Sequence, residues 1–151
     1  MRCSLLLAAL GGCHHAQLHP MPDPPDQGTR FIGYRVIHDA PDHLALEVEY
    51  SYDGSQGDAV FVGAHTTSDS DAPPYWAYRP DPLLPGTHTA RVLVGLADSA
   101  PPSHRTDGLE LTMYKGGGPT FHESRIAYPK RWYKKLEGQR CHREWGAGCD
   151  G

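Results

Sequence analysis

The feature that most constrains the fold is an alternation of apolar and mainly polar residues over positions 43–52. Because successive side chains of a strand point to opposite faces of its sheet, this period of two predicts a strand with one buried and one hydrated face. The polar face carries Glu47, Glu49 and Ser51. The apolar positions of the other face are Leu44, Leu46, Val48 and Tyr50.

Similar short segments continue from residue 30 onward and are separated by Gly, Pro, Asp and Ser. The sequence has no run with helical periodicity before residues 132–136, where a short turn is predicted. About seven short strands joined by turns predict an all-β fold, an antiparallel sandwich of two sheets. Besides 43–52 and a strand within 83–94, the predicted strands are 31–38 (with Ile32, Tyr34 and Val36 on one face), 59–66, 75–79, 108–114 and 120–128.

Residues 83–94 carry a more specific pattern, in which a leucine is followed by Pro85-Gly86 and then by an alternating strand. This pattern resembles the E–F turn and F strand of fibronectin type III and related immunoglobulin-like domains. The resemblance implies an immunoglobulin-like β-sandwich. His88 stands where those domains place their corner tyrosine, and the Cys…Trp…Cys spacing of a true immunoglobulin domain is absent.

The first thirteen residues have the organisation of an export signal: Arg2, an apolar run over 5–9, and then Leu10-Gly11-Gly12-Cys13. The last four residues resemble the lipobox of bacterial lipoproteins. The resemblance implies a signal peptide over 1–12, acyl chains such as palmitate on Cys13, and a membrane-tethered mature protein. For a Gram-negative source, His14 in place of an aspartate after the cysteine implies the outer membrane, facing the periplasm or the surface. The alternative is that residues 4–10 form a buried first strand.

Composition divides the remaining chain into three parts. Residues 13–29 include four prolines within 20–25 and predict a flexible tether. Residues 30–135 are the predicted sandwich domain, and 136–151 are a C-terminal tail. Cys141 and Cys149 lie in this tail, where an exported protein would form a disulfide. A metal site that uses both cysteines stays open as an alternative.

The ten histidines raise a metal hypothesis. His14, His15 and His19 stand together in the tether and are candidate ligands, with a polar spacer as the favoured interpretation. No His-x-His or His-Glu-x-x-His spacing occurs, and no cofactor is expected. The net charge of −4, with no long basic run, gives no electrostatic footprint for nucleic acid.

Two groups of residues are candidates for contact with a partner. The first is the aromatic segment of a predicted edge strand, and the second is a short basic segment near the end of the sandwich. Aromatic rings bury much area at small entropy cost, and the basic segment suits an acidic partner or anionic lipid. Alternatively, the aromatic rings cap the core and the basic segment is a solvated turn. The candidate residues are Tyr75, Trp76, Tyr78, Lys130, Arg131 and Trp132.

No catalytic motif is present: there is no Gly-x-Ser-x-Gly, and the glycines at 116–118 lack the ending of a phosphate-binding loop. We therefore expect a non-enzymatic, lipid-anchored cell-envelope protein. Its sandwich would act as a binding or assembly module, with the membrane and an envelope protein as partners. One alternative is a periplasmic lipoprotein that binds zinc, copper or calcium. Another is an exported enzyme without a recognisable motif.

Overall fold

The alternating segments of the chain form antiparallel strands in two sheets. The computed structural model describes residues 17–67, 75–77, 81–96 and 100–134. The order along the five-stranded sheet is β1-β2-β3-β6-β5, and along the three-stranded sheet it is β4-β7-β8. The strands are β1 His19–Pro20, β2 Arg30–Asp39, β3 His43–Tyr52, β4 Val60–Thr67, β5 Tyr75–Ala77, β6 Gly86–Leu96, β7 Ser103–Lys115 and β8 Thr120–Tyr133.

The predicted all-β sandwich is confirmed. Apart from the two-residue β1, the seven strands occur in the order of a constant-type immunoglobulin domain, with β2-β3-β6-β5 in the positions A-B-E-D and β4-β7-β8 in the positions C-F-G. The resemblance of residues 83–94 to an F strand was wrong in its position. The strand after Pro85-Gly86 is β6, which pairs with β3 and β5 and takes position E, while β7 takes position F.

The core lies between the two sheets and is formed by the inward-facing side of each strand. On β3, the alternation predicts the inner face correctly, since Leu44, Leu46, Val48 and Tyr50 are all buried. Each fully buried side chain of this size contributes about 1.5–3 kcal/mol. The largest fully buried side chains include Trp132, Tyr52, Phe31, Leu44, Leu46, Leu109, Leu111 and Met113.

Strand β2 departs from simple alternation because its pairing with β3 shifts between Phe31 and Gly33 and again between Val36 and His38. A bulge adds one residue to a strand and re-aims the side chains beside it. Phe31 is buried in the core, and Tyr34 and Val36 also pack against it while remaining partly exposed. The prediction that Ile32, Tyr34 and Val36 share one face therefore missed the buried Phe31.

The end of the sandwich near residues 83–88 is held by two side chains. The Leu84 N–H donates to the Tyr50 hydroxyl at 3.1 Å. His88 Nε2 donates to the carbonyl oxygen of Pro85 at 3.0 Å, three residues upstream. A side-chain bond back to the upstream backbone is the device of a tyrosine corner. Here His88, near the start of β6, makes this bond.

The last hairpin is longer than its sequence pattern predicts. Strand β7 begins at Ser103, before the predicted strand 108–114, and pairs there with Tyr133 at the end of β8. The helical turn predicted near 132–136 is thus wrong at Trp132 and Tyr133, which belong to β8. The predicted tail, 136–151, lies outside the described residues.

Candidate functional site

The N-terminal strap, which we define as residues 19–23, is docked on the sandwich. His19 and Pro20 pair with Tyr34 and Gly33 of β2, and the Met21 N–H donates to Ile32 O at 3.0 Å. Only 8 % of Met21 is exposed, and its side chain belongs to the core. The flexible tether predicted over 13–29 therefore does not extend through these residues, because backbone pairing and apolar burial offset the entropy lost on ordering them.

Glycine at position 33 allows the strap to approach β2. A Cβ atom there would lie 2.8 Å from Leu18 Cδ1 and 2.9 Å from the His19 carbonyl oxygen. Any side chain would displace this segment, so a residue without a Cβ is required where the backbones come close.

Asp23 fastens the end of the strap to both sheets. Its Oδ2 accepts hydrogen bonds from the Phe31 N–H at 2.6 Å and from His122 Nε2 of β8 at 2.7 Å. Burial acts to raise the pKa of Asp23, but hydrogen bonds from Ser124, His122 and Phe31 outweigh it and hold the pKa below its usual value. The carboxylate therefore stays charged and locks the strap at neutral pH.

A second carboxylate joins the sheets at the other end of β2. Asp39 accepts hydrogen bonds from Lys130 Nζ and, at 2.6 Å, from the Tyr128 hydroxyl of β8. Lys130 also donates to Ala40 O at 2.7 Å, and its side chain is only 8 % exposed. Burial acts to raise the pKa of Asp39, yet the bonds from Lys130 and Tyr128 lower it overall. The pKa of Tyr128 is raised by burial and by its bond to Asp39.

Lys130, one of the residues predicted to contact a partner, is bound to Asp39 instead. Its ammonium lies 4.8 Å from the centroid of the Trp132 ring. Trp132 itself is fully buried, and its Nε1–H donates to Thr106 Oγ1 at 2.9 Å. Trp132 is thus part of the core rather than a surface ring. The reason is that β8 continues to Tyr133, and position 132 of this strand faces inward.

Arg131, between these two residues, faces the other way and is exposed. It lies directly opposite Arg105 on β7, which is exposed as well. Two positions further along β8, on the same outer face, Tyr133 lies opposite Ser103 and is 47 % exposed. Of the three predicted contact residues Lys130, Arg131 and Trp132, Arg131 is the one that is exposed.

The aromatic candidates lie elsewhere. Tyr75 and Trp76 belong to β5, the edge strand opposite the β1–β2 edge of the larger sheet, and Trp76 pairs with Gly95 of β6. Strand β8 is bonded to the β2 edge through Asp23 and Asp39. The two predicted contact groups therefore lie at opposite edges of the sandwich and do not form one surface. Tyr78 lies outside the described residues.

The remaining site predictions fall mainly outside the described part of the chain: Cys13, His14, His15, Cys141 and Cys149. His19 is described, is exposed, and stacks on Tyr34 with ring centroids 5.1 Å apart. Within the described ranges, no group of three or more His, Cys, Asp or Glu side chains has a metal-binding arrangement.

Sequence reasoning missed the polar pairs that hold the sandwich together. Besides Asp23 and Asp39, these include His43 Nδ1 and Asp42 Oδ1, which lie 2.9 Å apart and are both buried at the β2–β3 turn. The His43 ring also stacks on His38 at 4.8 Å. Asp and His beside a proline turn are ordinary turn residues in sequence, so only the three-dimensional arrangement identifies the pair.

Comparison with protein-family models, curated proteins and solved structures finds no match to this chain. In the part of the chain that the structure describes, no helix is long and apolar enough to cross a bilayer. The resemblance to an immunoglobulin domain therefore rests on the order of the strands alone. The candidate functional site is the β2–β8 edge, with the strap on one side and the exposed Arg131 and Tyr133 on the other.

Proposed function

We propose that this chain is a lipid-anchored cell-envelope protein whose immunoglobulin-like sandwich is a non-enzymatic binding or assembly module. The signal over 1–12 would be removed after Gly12, and Cys13 would carry the lipid. The observation that carries the proposal is the docked strap. A domain attached to a membrane through its N-terminus needs a firm link there, and Met21 and Asp23 supply one.

The spacing between the proposed anchor and the strap limits how far the sandwich stands from the membrane. Residues 14–18 separate Cys13 from His19, and each residue spans at most about 3.3–3.6 Å. The six steps from Cys13 to His19 are therefore no longer than about 22 Å. The proposed module would work close to the bilayer surface rather than at the end of a long stalk.

The location that we propose is the outer membrane, facing the periplasm or the surface, and the partner is an envelope protein. Arg131 is an exposed candidate for contact, and Tyr75 and Trp76 of the opposite edge form a second, separate candidate surface. Tyr78, which follows them in the sequence, is proposed as part of the same contact group. A disulfide between Cys141 and Cys149 accompanies this proposal, because the compartment is oxidising.

The test is the intact mass of the protein in the membrane fraction of bacteria that express the full chain. The expected mass reflects loss of residues 1–12 and a gain of acyl chains. Cys13→Ala should abolish both changes, whereas Cys3→Ala is the matched control and should leave processing intact. An unmodified chain that retains Met1 and stays in the soluble fraction would overturn the proposal.

A further inference from the structure

The outer face of the β4-β7-β8 sheet carries a pair of like charges directly opposite each other. Arg105 of β7 and Arg131 of β8 are cross-strand partners, and both are exposed. Three other arginines of the strands have acidic cross-strand partners, whereas Arg30 lies opposite Ser51. Arg35 and Arg91 both pair with Glu47, and Arg125 pairs with Glu110, with ion-pair distances of 3.2 Å for Arg35 and 2.6 Å for Arg125.

Like charges at directly opposed positions destabilise a sheet, whereas opposite charges stabilise it. Among the described residues, neither Arg105 nor Arg131 makes an ion pair or a side-chain hydrogen bond. An anion held between the two guanidinium groups would remove the repulsion. Two planar forks with five donors each match the oxygens of a phosphate group. Positions that break a local stability rule are where functional sites are expected.

The neighbours of this pair favour a membrane surface as the source of the anion. Tyr133 lies on the same outer face and is 47 % exposed, and tyrosine is enriched at the headgroup level of bilayers. Lys134, the next residue, is also exposed. The nearby exposed carboxylate on β7 is Asp107, at the register shift that follows Thr106. Lys130 faces inward and is bound to Asp39.

The direction of the strap places the pair on the membrane side under the proposed anchoring. His19 pairs with Tyr34 and Pro20 with Gly33, so the chain before the strap runs toward the Asp39 end of β2. Asp39 is bonded to Lys130 of β8, the residue next to Arg131. Gln17 and Leu18, the described residues before the strap, thus lead toward the end of the sandwich that holds the arginine pair.

We propose that Arg105, Arg131 and Tyr133, the arginine patch, bind the phosphate of anionic phospholipid headgroups in the membrane that holds the chain. The patch would orient the sandwich on the bilayer and leave its opposite end for a partner. This inference rests on the proposed anchoring for its biological setting, but the lipid contact can be measured without the anchor.

The experiment uses the full chain with Cys13→Ser, so that no lipid is attached. Its sedimentation is measured with phosphatidylcholine vesicles and with vesicles that also contain phosphatidylglycerol. The ratio of the two partition coefficients removes any apolar contribution of the N-terminus. Since each arginine near an anionic surface strengthens binding by about fivefold, R105Q/R131Q should lower the ratio by about thirtyfold. The control R91Q/R125Q removes the same charge and should leave the ratio close to that of the parent.

A second variant separates lipid binding from folding. Arg131→Glu places opposite charges at the 105–131 position and should raise the melting temperature while abolishing the preference for anionic vesicles. The proposal is overturned if R105Q/R131Q binds anionic vesicles as the parent does and melts at a lower temperature, because acidic groups of the chain itself would then hold the arginines.

Free phosphate is the other source of the same chemistry. Inorganic phosphate that shifts the amide resonances of Arg105 and Arg131 while the anionic-vesicle preference is absent would show a soluble-anion site and overturn the lipid assignment. If the parent prefers anionic vesicles and Arg131→Glu removes this preference, the lipid assignment is supported. Failure of the anchoring proposal appears separately, as the wrong intact mass of the unaltered chain.

Discussion

Asp23 accepts a hydrogen bond from His122 at 2.7 Å, although the two residues lie 99 positions apart in the chain. The same Oδ2 atom accepts the Phe31 N–H at 2.6 Å. One carboxylate therefore connects the strap, the first long strand and the last strand. Because each of these elements belongs to a different part of the sequence, the bond closes the sandwich along its β2–β8 edge.

Placing a side chain at position 33 should release the strap. In Gly33→Ala, the new Cβ would meet Leu18 Cδ1 at 2.8 Å and the His19 carbonyl at 2.9 Å, so the strap must move. We expect a loss of about 1–3 kcal/mol in the free energy of unfolding, together with faster amide exchange at Met21. Urea unfolding and hydrogen exchange measure the two effects. Gly28→Ala is the control, since its Cβ would make only an ordinary 3.4 Å contact with Asp53 Cβ. Unchanged exchange at Met21 in Gly33→Ala would contradict this account of the strap.

Removing the charge of Asp39 should leave a nearly buried ammonium without its counter-ion. Lys130 is 8 % exposed, whereas Asp39 is 42 % exposed, so we expect Asp39→Asn to destabilise by about 1–2 kcal/mol. Arg125→Gln breaks a pair with an exposed arginine and should change stability by less than about 1 kcal/mol.

A double-mutant cycle checks that Asp39 and Lys130 act together. Adding Lys130→Met to Asp39→Asn should cost less than the sum of the single changes, because the uncompensated charge is then gone. If the loss of unfolding free energy in the double variant equals the sum of the losses in the two single variants, the two residues are not coupled.

Stability should fall in mild acid because of the two fastening carboxylates. The pKa of Asp23 and that of Asp39 both lie below the ordinary value of 3.8 in the folded protein. Their contribution is therefore fully present above the unfolded pKa and is lost as the pH falls through the lower, folded pKa. The unfolding free energy, measured from pH 7 downward, should decline below about pH 4. Asp23→Asn/Asp39→Asn should flatten this decline, and an equally steep decline in that variant would contradict the assignment.

The buried indole of Trp132 should depend on Thr106. Thr106→Val keeps the shape of the side chain but removes the oxygen that accepts the Nε1–H at 2.9 Å. Since both residues are fully buried, we expect a loss of about 1–3 kcal/mol and a shift of the Trp132 indole proton resonance. Thr89→Val, at an exposed position of β6, should change stability by less than about 0.5 kcal/mol. Chemical denaturation followed by tryptophan fluorescence gives both values.

The strands themselves could be predicted wherever the alternation is regular. The pattern of 43–52 identifies β3 and its inner face, because a period of two is a local property of the chain. The edge strand β5 was also predicted, within 75–79. The two-sheet sandwich followed from the number and spacing of strands. By contrast, assigning 83–94 to position F failed, because a local turn pattern does not determine which strands are neighbours.

The candidate site could be predicted only in part. Arg131 was identified from local composition, but Arg105 was not, since its position opposite Arg131 depends on the register shift between Thr106 and Gly108. A shift of one residue in either strand would turn the arginine of that strand to the other face. The role of Asp23 in fastening the strap could not be predicted either. A proline-rich segment predicts extended chain whether or not one of its residues bonds to a distant histidine.

The shortness of β1 gives the domain a mechanical property. Tension applied through the chain before Gln17 would load the two residue pairs of β1 before any pair of β3, β6 or β7. The strap should therefore peel away first and add about 16 Å of reach, at about 3.3 Å for each of its residues. The sandwich would keep its other strands paired while this happens. Under the proposed anchoring, a link that lengthens under load and re-forms at rest would let the domain follow movement of the membrane without unfolding.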